Sequence, residues 1–327
     1  MTKIGIVVIG RNEGRRLEAC LRSVFAQTAP IVYVDSGSTD GSVEFAESLS
    51  VNVVELDMSI PFTAGRARNE GFEKLCSLHP DVECVQFIDG DCILAEGWLC
   101  RGVQFLQDNP SYAVVAGRVR ESNRLGSIYN RLLDMEWHVP PGESTACGGI
   151  ALMRRVAVEK VGGFNPSLVA GEEPELCLRL RQNGWKVMRL DAEMTLHDAD
   201  MHRFGQWWRR TKRGGFAYAL GASIHGKPPE RHWVRETRSA LVWGLAIPAL
   251  ILILAALSRG WGLLLFSIYP LQVARIAHGR MRHGESLSDA WLYGMSCMVA
   301  KFAEAAGILK FYRHRLFGQQ ATIIEYK

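Results

Sequence analysis

The chain has 327 residues, 48% of them hydrophobic and 22% charged, with a formal net charge of +4. That is enough for about two domains of roughly 150 residues with good cores, and too little charge for a nucleic-acid binder, which shows a concentrated basic face. The eight cysteines contain no C-x-x-C pair, which argues against a zinc cluster and for reduced thiols in a cytoplasmic core.

The opening MTKIGIVVIGRNEG has an apolar run too short for a secretory signal and reads as a buried first strand over 4–10. RNEGRRLEACLRSVFAQ follows with Leu17, Cys20, Leu21 and Val24 at helical spacing. IVYVD (31–35), VNVVELD (51–57) and VECVQFID (82–89) read as further strands, with helices between them, one of them TAGRARNEGFEKLC (63–76). Four strand–helix alternations predict an open parallel α/β sheet. After Gly117 the pattern loosens, although ACGGIALMRR is strand-like and EEPELCLRLRQNG (172–184) is a marked helix, with Pro174 in its first turn and Gly184 at its stop.

From Ser239 the composition changes. SALVWGLAIPALILILAAL (239–257) carries no charge and is long enough to cross a bilayer, for which about 20 residues are needed. A second apolar helix is expected at about 261–277 and an amphipathic, interfacial one at about 287–312. Cations crowd the outer flanks of the apolar pair (Arg209, Arg210, Lys212, Arg213, Lys227, Arg231, Arg235 and Arg238 before; Arg275, Arg280 and Arg282 after), and only Arg259 lies in the turn. The positive-inside rule then puts both flanks and the N-terminal domain on the cytoplasmic side of the inner (cytoplasmic) membrane. A buried hairpin in a soluble domain, or a pair lying shallowly in the membrane, are the alternatives. The tail LKFYRHRLFG is basic and aromatic, apt for anionic headgroups of membrane lipids.

The chemistry starts from Asp89-Gly90-Asp91. Two carboxylates one residue apart repel, and burying them is costly unless something positive sits between them. They end a strand where ligands sit in open α/β sheets, and a cation such as Mg²⁺ or Mn²⁺, which uses one or two carboxylates plus substrate phosphates, would relieve the repulsion. A solvated turn is the plain alternative. Asp35 also ends a strand, beside Ser36, Ser38 and Thr39; Arg66 and Arg68 near a helix start could reach a phosphate. Glu172 and Glu173 precede Pro174, where the helix dipole alone would favour them, or where one could act as general base. His197 is a possible imidazole ligand and His202 a weaker one.

In order, VVIGRNEGRRLEACLRSV, VDSGSTDGS, ARNEG, IDGDCILAEGWL, GGIALMRR with the later VGGF, and GEEPELCLRLRQNGW resemble the motifs of family 2 glycosyltransferases with the GT-A fold, over about residues 3–205. The resemblance implies a Rossmann-like, mostly parallel central sheet flanked by helices over 1–225, and the apolar composition that follows adds a helical membrane-associated region over 226–327. It implies that Asp91 and Asp89 bind Mg²⁺ or Mn²⁺, and His197 is the further candidate ligand for that ion. Ile9, Arg11, Glu13, Asp35, Ser38, Arg68, Asp89 and Gly90 would bind the nucleotide, and Trp98, Gly148, Gly149, Gln206 and Arg209 the donor or acceptor. The chain has Glu-Glu where the family has Glu-Asp, so Glu173 stands at the base position with Glu172 as the alternative. Gln206-Trp-Trp-Arg209-Arg210 is similar to the Q-x-x-R-W motif of processive synthases but ends in Arg, against processive polymerisation.

The expected activity is inverting, metal-dependent transfer of a sugar from a nucleoside-diphosphate sugar to a hydroxyl of a lipid-linked or polysaccharide acceptor. The alternatives are transfer to a polyprenyl phosphate, which needs no base, and a non-catalytic nucleotide-binding scaffold. Nucleic acid is not an expected partner.

Overall fold

The structure, a computed structural model, describes residues 2–318. Its chain starts with β1 (Ile4–Gly10), α1 (Arg15–Phe25), β2 (Ile31–Asp35), α2 (Ser42–Ser48), β3 (Asn52–Glu55), α3 (Ala64–Leu78) and β4 (Cys84–Asp89). These are the alternations the sequence predicts. The interiors of β1, β2 and β4 are buried because both sheet faces are covered. The buried side of α1 is formed by Leu17, Cys20, Leu21 and Val24. Thr63 caps α3 by accepting from the Arg66 N–H at 3.0 Å. Gly71 lets α3 lie against the sheet, since a Cβ there would come within 2.5 Å of Val7 Cγ1.

There follow β5 (Cys92–Leu94), α4 (Trp98–Asp108), β6 (Tyr112–Glu121), α5 (Ile128–Trp137), β7 (Gly142–Ser144), β8 (Ala151–Arg154), α6 (Arg155–Lys160), α7 (Glu172–Gln182) and β9 (Lys186–His197). The sheet order is β3-β2-β1-β4-β8-β6-β9-β5, with β7 on β9. Strands β3, β2, β1, β4, β6 and β9 point one way and β8, β5 and β7 the other, so the sheet is mixed and mostly parallel. Gly117, after which the sequence pattern loosens, is an irregularity inside β6. A Cβ there would lie 2.6 Å from the Ala192 carbonyl and 2.8 Å from the Trp98 ring, so the strand runs on only because the residue is glycine.

The chain divides into two compact units. One runs to Arg124 and includes Glu136–Leu168 and Glu172–Ala199; the other comprises Leu125–Met135, Val169–Gly171 and the chain from Asp200 onward. The second unit thus begins before 226 and takes in α8 (Phe204–His225). It continues through α9 (Val234–Leu241), a π-helical stretch (Val242–Ala246) and α10 (Ile247–Leu257), which form one helix of 24 residues. A 3₁₀ stretch (Trp261–Ser267), α11 (Ile268–Arg282) and α12 (Leu287–Leu316) complete it. At 1.5 Å per residue the Val234–Leu257 helix is ~36 Å long, and it is mostly exposed. Leu250, Leu252, Ile253, Leu257, Trp261 and Leu264 all face outward. Val234–Leu257 and Leu287–Leu316 are both long and apolar enough to cross a membrane, and the second is the more buried. Residues 319–327, the end of the expected membrane region, lie outside the described residues.

Candidate active site

The register of the central strands decides what meets at the sheet's carboxyl edge. Ile9 pairs with Val34 on one side and with Asp89 on the other, and Gly10 pairs with Asp35. The ends of β2, β1 and β4 are therefore level. The Gly90 N–H donates to the Ile9 carbonyl at 2.8 Å, and a Cβ at Gly90 would lie 3.2 Å from that oxygen, so glycine draws the Asp89–Asp91 turn tight against β1. Glu13 lies beside Gly10 and Gly90 and pairs with Arg16 at 2.8 Å. Arg11 stacks on Phe62, 4.5 Å from the ring centroid.

Asp35 is buried. Its Oδ1 accepts from the Tyr33 hydroxyl at 2.8 Å and its Oδ2 from the Gly37 and Ser38 N–H groups at 2.9 and 2.7 Å. The loop it holds is clasped to the one after β1: Ser38 Oγ accepts from the Asn12 N–H, and Asn12 Oδ1 accepts from the Thr39 N–H, both at 2.8 Å.

The positive partner of the acidic turn is Arg68, on the first turns of α3. Its guanidinium is buried and donates to Asp89 Oδ1 at 2.7 Å and to Glu172 Oε1 at 2.5 Å. Burial alone would lower the Arg68 pKa, but Asp89 and Glu172 hold it above the ordinary value. Burial, followed by the neighbouring Asp91 and Glu172 charges, pushes the Asp89 carboxyl up, with Arg68 opposing the rise. Gly149 leaves room for this guanidinium; a Cβ there would lie 3.4 Å from Arg68 Nη2.

Asp91 is answered by a different group. Cys92 pairs with His197 across β5 and β9, which brings His197 Nε2 to 3.5 Å from Asp91 Oδ2. Behind it, Nδ1 lies 3.3 Å from Oε2 of Glu121, a buried carboxylate that pairs with His197 in the β6–β9 register. The Trp137 ring meets the imidazole edge-on, with centroids 4.3 Å apart. Glu121 favours the tautomer with the proton on Nδ1, which leaves the Nε2 lone pair toward Asp91. A carboxylate oxygen and an imidazole nitrogen so arranged, with a carboxylate behind the imidazole, fit a Mg²⁺ or Mn²⁺ ion. The Cys92 thiol also lies within 4.8 Å of both donor atoms, but a soft sulfur is the poorer donor for such a cation.

Glu172 and Glu173 have separate surroundings. Glu172 keeps 13% of its side chain exposed and is engaged through Oε1 by Arg68. Glu173 is 2% exposed. Its Oε1 accepts from the Cys147 N–H (2.6 Å), the Cys147 thiol (2.8 Å) and the Cys177 thiol (2.9 Å), and its Oε2 from the Gly148 N–H (2.9 Å). It therefore fixes the Cys147–Gly149 loop, where Gly148 and Gly149 adopt φ of 95° and 92°, strained for any other residue. Arg189 supports the loop from below by donating to the Cys147 carbonyl at 2.9 Å.

Several expected residues are already engaged by protein partners. Trp98 is completely enclosed in the core, its Nε1–H donating to Gln86 Oε1 at 2.8 Å, so it touches neither donor nor acceptor; a large aromatic at the first turn of α4 is a core anchor. Gln206 and Arg209 belong to the second unit, where Gln206 Oε1 accepts from the His202 and Arg203 N–H groups and so caps α8. Arg66 is occupied by Glu70 and the Asp57 and Ile60 carbonyls. His202 pairs with Asp200 at 3.0 Å. Reading the sequence missed Glu121, Trp137, Cys147, Cys177 and Asn12. Only Asn12, inside the RNEG motif, carried a local signal; the others reach the site through strand register or loop path.

Three comparisons bear on this arrangement. Residues 5–162 match the model of Glycosyl transferase family 2. Over 225 residues the chain is 26% identical to glycosyltransferase AglE of Haloferax volcanii, covering 65% of this chain and 71% of that protein. It is 25% identical over 205 residues to the O-antigen chain rhamnosyltransferase RfbN of Salmonella typhimurium, covering 57% and 63% respectively. In fold it is similar to the mannosyltransferase PcManGT of Pyrobaculum calidifontis, solved with GDP-Man and Mn²⁺, at a TM-score of 0.62 and 20% identity over 94% of this chain and 87% of that one.

Proposed function

The chain belongs to glycosyltransferase family 2 with a GT-A fold, and from that premise we propose that it is an inverting enzyme using Mg²⁺ or Mn²⁺. It moves a sugar from a nucleoside-diphosphate donor to a hydroxyl of a lipid-linked or polysaccharide acceptor at the cytoplasmic face of the inner membrane. The observation that carries this reading is the pairing of Asp91 with a His197 whose far nitrogen faces Glu121, next to the Arg68-bridged Asp89. PcManGT was solved with GDP-Man and Mn²⁺, and RfbN is an O-antigen chain rhamnosyltransferase, which supports the donor, metal and acceptor classes.

In this reading Asp91 and His197 would hold the cation, which would supply positive charge against that developing on a departing nucleoside diphosphate. Arg68 contributes a second, permanent positive charge and keeps Asp89 and Glu172 in place. Gly148 exposes loop backbone next to Gly149, which leaves room for Arg68, so a sugar can approach closely. The general base is Glu172. One of its oxygens is held and the side chain reaches solvent, whereas Glu173 spends both oxygens on the Cys147–Gly148 loop and on two thiols. Glu173 is a positioning residue for that loop. The acceptor hydroxyl loses its proton to Glu172 as its oxygen bonds the anomeric carbon and the bond to the diphosphate breaks. The Val234–Leu257 helix and the exposed apolar hairpin after it bring the enzyme to a lipid-linked acceptor at high local concentration.

The test is a donor panel on purified full-length protein, measuring released UDP, GDP or dTDP with and without Mn²⁺ or Mg²⁺. One donor should be consumed only with metal, and Asp91→Asn should abolish turnover while leaving the circular dichroism spectrum unchanged. Full activity of D91N, or release of pyrophosphate instead of a nucleoside diphosphate, overturns the mechanism.

A further inference from the structure

The second unit contains a cationic cluster that its fold does not neutralise. Helices α8 and α12 touch at their backbones: a Cβ at Gly307 would lie 2.0 Å from the Lys212 carbonyl, and one at Gly215 would lie 2.1 Å from the Glu304 carbonyl. Phe216 packs edge-on against Phe311 in the same seam, with centroids 5.5 Å apart. So close a crossing brings Lys212 of α8 beside Lys310 and Arg313 of α12, the last two sharing a face at i,i+3 spacing. Among the described residues, neither helix balances them with a free acid. From Phe204 to His225 α8 has no Asp or Glu, α12 has none after Glu304, and Glu304 is taken by Lys301 at 2.7 Å. Among the described residues, Lys212, Lys310 and Arg313 have no ion-pair partner.

Two structural explanations cover only part of this. Cations in a helix's last turn complement its dipole, which accounts for Arg313 and Arg315. It does not account for Lys310, a turn earlier and half-buried, which the crossing sets beside Lys212 and Arg313. Three like charges gathered on one seam are costly unless an anion joins them. Exposed apolar side chains share this helix end with them: Leu309, Tyr312, Leu316 and Phe317 are exposed by 47%, 48%, 80% and 68%. A cationic centre set among exposed apolar and aromatic side chains is the chemistry of a bilayer interface, where the anion is a lipid phosphate.

We propose that Lys212, Lys310 and Arg313 form a phosphate-binding site for the headgroup of an anionic membrane phospholipid, seated at the crossing of α8 and α12. The site rests on the reading that the C-terminal helices enter the membrane. It adds that the contact is charge-selective and confined to one place rather than spread over every basic residue of the unit.

The experiment is flotation of the full chain with phosphatidylcholine vesicles, and with vesicles in which part of the lipid is phosphatidylglycerol. Wild type should partition into both, and more strongly into the anionic ones by roughly tenfold or more, at about fivefold per effective charge. K212Q/K310Q/R313Q should lose that preference and keep its binding to neutral vesicles. The variant K212R/K310R, which keeps the charges, should retain the preference. Neutralising three other cations of the unit, Lys227, Arg231 and Arg235, should leave it in place. Equal loss in both triple variants means a diffuse field and overturns the site. Suppression of the preference by inorganic phosphate at millimolar concentration means a site for free phosphate and overturns the lipid assignment. Equal wild-type binding to both vesicle types removes this proposal alone; no binding to either removes the membrane reading beneath it.

Discussion

The two strands that flank β1 both end in aspartate, and the two aspartates behave differently. Asp35, at the end of β2, spends its oxygens on the Tyr33 hydroxyl and on two N–H groups of its own loop. At the end of β4, Asp89 and Asp91 are answered by an arginine from α3 and a histidine from β9. The same division separates Glu173, satisfied by backbone and thiols, from Glu172, held by Arg68 and reaching solvent. A position at a sheet's carboxyl edge thus does not make a carboxylate a ligand. What matters is whether its oxygens are filled by neighbouring backbone, which a substrate cannot displace, or by a charged side chain that leaves room for a substrate or ion to join.

The largest test of this division is the pair of adjacent glutamates. Glu172→Gln should lower kcat by roughly 10²–10⁴ with little change in donor KM, because it removes a proton acceptor. Glu173→Gln should act on stability instead. Its amide NH₂ must face at least one donor among Cys147, Gly148 and Cys177, and a buried donor left unpaired costs about 1–3 kcal/mol. Denaturant midpoints and single-turnover rates on both variants decide the assignment. A stable E173Q protein that has lost catalysis, beside an active E172Q protein, would exchange the two roles. Activity unchanged in both would point to a lipid phosphate acceptor, which needs no base.

How much of this was legible beforehand follows the range of the interactions. β1, β2 and β4 are continuous apolar runs, and α1 repeats its buried residues at helical spacing, so local pattern was enough. Asp89, Asp91 and Arg68 lie in short motifs next to identified elements, and their types suffice to suggest a charged cluster. The engagement of Glu173 was not legible, because its partners arrive from a loop 25 and 26 residues away. Nor was Glu121: it reaches His197 only through the β6–β9 register, across the irregularity at Gly117 that hid the strand. Trp98 shows the opposite error, since a motif suggested a ligand contact where burial and the Gln86 hydrogen bond make a core anchor.

A smaller effect is expected behind the metal ligand. Glu121→Gln preserves shape but gives His197 Nδ1 a neutral partner, and outer-shell changes of this kind typically cost 10–100-fold in metal affinity. Mn²⁺ titration followed by tryptophan fluorescence should show it, because Trp137 lies edge-on to the imidazole and its emission should be quenched by the paramagnetic ion. In Trp137→Phe that quenching should fall while Mn²⁺-dependent turnover persists. Unchanged Mn²⁺ affinity in E121Q would place the ion away from His197.

The smallest effect probes the other side of the comparison. Burial, and then the Asp35 charge, push the Tyr33 phenol well above its ordinary pKa, so it stays protonated and donates to Asp35 at any pH the protein meets. Tyr33→Phe removes that one bond and leaves Asp35 with its Gly37 and Ser38 donors. The expected cost is about 1 kcal/mol, read as a lower urea midpoint with an unchanged slope, and donor KM should hardly move. The loop's position rests on the two backbone bonds, which the variant keeps. If Y33F instead raises donor KM many-fold at full stability, Asp35 is answering to the nucleotide and not to its own loop, and the line drawn between the two strand ends disappears.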